Sequence, residues 1–199
     1  MEGLFFILVG AALFAQSWHL LGLYSEGRTM GVFVGGIGLL MLGTFMLGSS
    51  VEPMLFTETG KKAGGAVKAI SEADVSTSVA VLTSVVVVWA IYAVGVGAQG
   101  LWDFEERAIG FYSAFVAVVT LAGFAYFAGE LNPRYGDDVM LATSGATILL
   151  SVLASMMFFY LAFGFNVLRL VAGWFLLIGG GVVGAIGLAI VSGAVKVPA

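Results

Sequence analysis

Apolar and polar positions along this chain fall into blocks. Six long apolar runs lie at about 3–24, 29–49, 77–98, 108–129, 139–164 and 167–192. The 8 Lys and Arg and the 12 Asp and Glu all sit in the gaps between runs or at run ends. A helix of roughly 20 apolar residues crosses a hydrocarbon core about 30 Å thick. Lipid supplies no water to satisfy a bare backbone, so an apolar segment of this length crosses as a helix. The pattern predicts an all-α membrane protein: six transmembrane helices in one integral membrane domain over 1–199, built as three helical hairpins in sequence.

The connections support that order. Spans 1 and 2 are joined by the tight polar turn Ser25-Glu26-Gly27-Arg28. The connection from 50 to 76 is the longest and carries Pro53, Gly60, Lys61, Lys62, Gly64 and Gly65. It has room for a short amphipathic piece at the interface, but not for a domain. The loop 99–107 ends in Asp103-Phe104-Glu105-Glu106-Arg107, and the loop 130–138 holds Asn132-Pro133-Arg134 and Asp137-Asp138. Spans 5 and 6 meet in a short turn near Gly164-Phe165-Asn166. Lys61, Lys62, Lys68, Arg134 and Lys196 collect on one side, and Arg28, Arg107 and Arg169 on the other. The positive-inside rule leans weakly towards cytoplasmic termini.

Composition narrows the function. The 199 residues are 60% hydrophobic and 10% charged, against about 25% charged in a soluble domain. Mean hydropathy is +1.08. A net charge of −4 argues against nucleic acid, which needs a basic face. There is no Cys, so disulfides, thiolate metal sites and Cys nucleophiles are excluded. The start Met1-Glu2-Gly3-Leu4 lacks the basic region of a cleavable signal, so the first run reads as a retained helix. No HExxH, GxSxG, P-loop or paired intramembrane carboxylate is present. We expect neither catalysis nor a cofactor nor a bound metal. Without ionisable groups at membrane depth, a proton relay or ion-coupled pump is not expected either.

Several polar and small residues lie inside the runs. Thr143, Thr147, Ser151 and Ser155 recur every four residues and form a hydroxyl stripe on span 5. Such a stripe lines a wet path or bonds neighbouring helices. Tyr92, beside Trp89 in span 3, needs a partner for its hydroxyl. His19, the single histidine, reads as an interfacial residue next to Trp18 rather than a ligand or pH sensor. Gly31 and Gly35, and Gly180 and Gly184, have the four-residue spacing that lets membrane helices approach closely. A pore-facing groove in span 6 is the sharper alternative.

The order of short motifs resembles the AmiS/UreI family of amide and urea channels. Met1 to Gly10, Met-Glu-Gly-Leu-Phe-Phe-Ile-Leu-Val-Gly, is similar to that family's opening. Val32-Phe33-Val34-Gly35-Gly36, Tyr92-Ala93, Phe111-Tyr112-Ser113-Ala114-Phe115-Val116-Ala117 and Gly173-Trp174-Phe175-Leu176-Leu177-Ile178-Gly179-Gly180 resemble family segments in spans 2, 3, 4 and 6. The resemblance runs through the whole chain in order. It implies a protomer with its own pore, assembled as a ring-shaped homo-oligomer, a hexamer. It also implies passive passage of a small neutral solute, urea or a short-chain amide, across a bacterial-type inner membrane, with both termini outside. By position it implies pore-facing Phe6, Val9 and Leu13 from span 1, and Val88 and Tyr92 from span 3.

The departures lie at the pore. Ser151 and Ser155 fall where the family carries span 5 tryptophans. Gly179 takes the position of its Glu or Gln, and Val96 that of its Asn. Small side chains there widen the path and weaken selection for urea, because a few placed polar groups set orientation. A single His makes acid gating unexpected. The alternative reading is a non-conducting structural or accessory subunit of a larger membrane complex, which is free to drop pore residues. A pore open to water at Tyr92, Ser151 and Ser155 favours the conduit; a core plugged by side chains favours the subunit.

Overall fold

The computed structural model describes residues 2–23, 26–50, 72–129, 137–165 and 167–195. The proposed amphipathic piece around Pro53 and the residues Lys61, Lys62, Lys68, Arg134 and Lys196 lie outside them. The described residues form six helices and no strand: α1 (Glu2–Leu21), α2 (Gly27–Ser50), α3 (Glu72–Trp102), α4 (Glu106–Gly129), α5 (Asp137–Phe163) and α6 (Leu168–Val191). Each is long and apolar enough to cross a membrane. The chain is a multi-pass, all-α membrane protein whose outer surface meets the bilayer.

Every charged residue of these helices sits in the first turn, as with Arg28, Glu106 and Arg169. Deeper positions carry no charge. Half of the span in α1 and in α3 is buried, against 28% in α2 and α6. The outward faces carry Val32, Phe33, Leu39, Val118, Ile178 and Leu188, all well exposed. In water such a belt would drive aggregation; in a bilayer it is the solvated surface.

Helix ends follow local chemistry. Gly22 adopts φ 72° after α1. Its N–H donates to His19 O at 3.2 Å, and that of Leu23 to Trp18 O at 2.9 Å. This paired closure needs a left-handed residue, which glycine supplies without a Cβ penalty. Arg169, at the start of α6, covers the same helix end: its Nε donates to Leu20 O at 3.0 Å. A cation at a helix C-terminus adds to the hydrogen bond. Arg169→Met should therefore cost about 1–2 kcal/mol. The check is thermal melting in detergent; an unchanged midpoint would remove the cap from the account.

The helices form a closed ring in chain order, with α6 returning to α1. Consecutive helices pack as expected for hairpins, yet the most extensive interfaces alternate: α1 with α6, α2 with α3, and α4 with α5. Glycine explains the alternation. A Cβ on Gly10 would stand 2.6 Å from Gly180 O and from Gly184 N. One on Gly97 would stand 2.6 Å from Gly35 N, and one on Gly31 2.7 Å from Gly97 O. One on Gly110 would stand 2.8 Å from Leu161 C. Without a hydrophobic force between helices in lipid, such backbone contact is what holds them. Gly31, Gly35 and Gly180 thus serve close packing. Gly179 faces Leu153 of α5 rather than a groove. α1 also touches α3, so the interior is bounded by α1, α3, α4, α5 and α6, with α2 laid against the outside of α1 and α3.

Candidate functional site in the bundle interior

The inward stripe of α1 is Phe6, Val9, Leu13, Gln16 and Leu20, spaced three and four apart and all buried. From α3 come Val85, Val88, Trp89, Tyr92 and Val96. Phe6, Val9, Leu13, Val88 and Tyr92, expected at a pore, do meet in one cluster. That cluster is filled. Phe6, Leu13, Trp89, Leu150, Leu153, Met157 and Leu176 are each under 2% exposed. Gly179 completes the packing by receiving the Leu153 side chain. The two prominent concavities among the described residues are open grooves rather than interior cavities. One is floored by Gly10 and Gly180 between α1 and α6, and the other is lined by Leu141, Gly145 and Ile186.

A buried polar pair joins α1 to α3 across this apolar interior. The Gln16 amide straddles the Tyr92 hydroxyl: Nε2 donates to Oη at 3.2 Å, and Oη lies 3.4 Å from Oε1, to which it donates. Gln16 is 5% exposed and Tyr92 3%. This pair ties α1 to α3 and provides the partner that a tyrosine at depth requires. The Tyr92 ring stands edge-on to Trp89, centroids 5.5 Å apart at 79°. Trp89 Nε1 donates to Thr120 Oγ1 at 3.0 Å, and Thr120 donates to Val116 O. Tyr112 Oη donates to Val88 O at 3.2 Å. The aromatic wall of α3 is thus pinned to α4 on one side and to α1 on the other.

The span 5 hydroxyls divide between two roles. Ser151 Oγ donates to Ala117 O at 2.9 Å, a bond between helices. Ser155, half-buried, donates back to Ser151 O, and Thr147 to Thr143 O. Ser151 therefore turns to α4, and Ser155 bonds its own helix. His19 sits half-buried in the last turn of α1.

Gln16, Trp89 and Thr120 were not singled out as site residues in the sequence. For Gln16 a signal exists: it continues the spacing of Phe6, Val9 and Leu13. For the Trp89–Thr120 bond there is none, because the partners sit on different helices. Compared with known proteins, the chain matches no family model, no curated protein and no solved structure.

Proposed function

We propose that this protein is a passive conduit for a small neutral, amide-like solute such as urea or a short-chain amide, described here in a closed conformation. One observation carries the reading: the buried Gln16–Tyr92 pair. The Gln16 side chain is itself a primary amide, so the interior already solvates one amide against a tyrosine hydroxyl. A solute amide has the same donor and acceptor and can exchange for it. Polar groups inside a membrane bundle are costly and mark solute pathways. The uncharged depth of all six helices fits a neutral cargo. Following the AmiS/UreI resemblance, the protein works in a bacterial-type inner membrane as a homo-oligomer, a hexamer.

A second reading rests on the filled interior, the arrangement set out above as favouring a subunit over an open conduit. A bundle plugged by Phe6, Leu13, Trp89 and Leu153 suits a non-conducting accessory subunit held to its partners by apolar faces. Stopped-flow light scattering on proteoliposomes separates the two. The conduit reading expects urea and acetamide to equilibrate faster than in empty vesicles, with glycerol lagging. Rates equal to empty vesicles, from folded and inserted protein, transfer the assignment to the accessory subunit.

A further inference from the structure

The buried polar side chains keep a rule with one exception. Gln16 is held by Tyr92. Ser17 donates to Phe14 O, Ser113 to Gly110 O, Thr120 to Val116 O and Ser144 to Leu141 O. Thr147 bonds two carbonyls of its own helix, and Ser151 reaches across to Ala117 O. Thr143, 1% exposed, has a hydroxyl without a hydrogen-bond partner among the described residues.

The exception has a physical cost. A helical Thr ordinarily turns its hydroxyl onto a carbonyl three or four residues back. Thr147 and Ser155 on the same helix do so. Thr143 does not take that bond. A buried hydroxyl without a partner costs as much as a lost hydrogen bond, and in native proteins a bound water commonly supplies the missing contact. Depth allows it. Thr143 lies six residues past Asp137, where α5 begins, about 9 Å along the axis at 1.5 Å per residue. The apolar run itself starts at about residue 139, only one turn before Thr143. That end of the bundle is also where α1 and α3 begin and α6 ends.

We propose that Thr143 is a hydration site: water enters the bundle from the end holding the starts of α1, α3 and α5, and is bound by Thr143 Oγ1 at the top of the α5 hydroxyl stripe. The interior is then wet at one end and dry from the Leu150 level inward, where Leu150, Leu153 and Met157 fill it. The site holds whether or not the bundle conducts a solute.

The chain has no cysteine, so single thiols report cleanly. The test places Thr143→Cys, Glu105→Cys and Val118→Cys proteins in liposomes and follows methyl methanethiosulfonate labelling by mass spectrometry. Only a thiolate reacts, and a thiolate needs water. Glu105 is in an exposed turn, and Val118 faces lipid midway along α4. Hydration at Thr143 predicts labelling within about tenfold of Glu105→Cys and about a hundredfold faster than Val118→Cys. Labelling as slow as Val118→Cys, in protein that melts like wild type, would overturn the site. If Thr143→Cys does not fold, Thr143→Val decides. Loss of a bound water lowers the melting point by about 2–4 °C, whereas loss of an orphan hydroxyl raises it.

Discussion

A valine at Gly97 pushes α2 and α3 apart and lowers the melting temperature of the purified protein by roughly 6–12 °C, the equivalent of about 3 kcal/mol. A Cβ there would meet Gly35 N at 2.6 Å and Gly31 O at 2.8 Å. Both are helix backbone atoms and have no rotamer to yield with. The helices must separate, and the neighbouring approaches of Gly31 to Gly97 and of Gly38 to Val94 loosen with them. Lipid offers no hydrophobic compensation, since its tails are as apolar as the side chains exposed. Gly10→Val should act in the same way on α1 and α6. Gly36→Val is the matched control: its Cβ meets nothing within 4 Å, and valine is the better helix former. Differential scanning fluorimetry in detergent checks the set. A Gly97→Val protein melting with wild type would refute backbone contact as the clamp.

The second large effect is on flux. Tyr92→Phe keeps the ring against Trp89 and removes only the hydroxyl that Gln16 uses. An unpaired buried amide costs about 1–3 kcal/mol, and each 1.4 kcal/mol is tenfold. If the pair receives the solute, urea and acetamide permeability should fall about tenfold, by the same conversion. Gln16→Leu should do the same, and the double variant should be no slower than either, because the two groups act as one unit. Glycerol, which lacks the amide, should change less. Stopped-flow scattering with matched protein densities gives the numbers. Folded variants with wild-type amide rates would place the solute path away from this pair.

Much of the fold was legible before any coordinates, for identifiable reasons. Charge exclusion marked all six helices, because an ionised side chain in hydrocarbon is costly whatever its neighbours are. Where the helix edges differ, the difference is informative. Span 3 was expected at 77–98 and α3 runs from Glu72 to Trp102. Hydropathy marks the hydrocarbon, whereas the helix continues through the headgroup layer, where polar residues such as Gln99 are solvated. Span 1 was expected to reach 24, but Gly22 closes α1 at Leu21. The candidate site was legible only in part. Phe6, Val9, Leu13, Val88 and Tyr92 were named through the family resemblance, and they do meet in one buried cluster. Ser151 instead bonds Ala117 of α4, because its direction depends on how α5 is rotated against α4.

By itself the amino-acid sequence determined the solvent of this protein and its six membrane crossings. These follow from the transfer cost of single side chains and from the length of each apolar run, both local properties. Only the tertiary structure decided that α1 clasps α6, that Gln16 meets Tyr92 across 76 positions of chain, and that Thr143 alone among the described buried polar side chains lacks a partner. Those facts depend on the register at which distant glycines allow two backbones to touch, and no local pattern encodes that register.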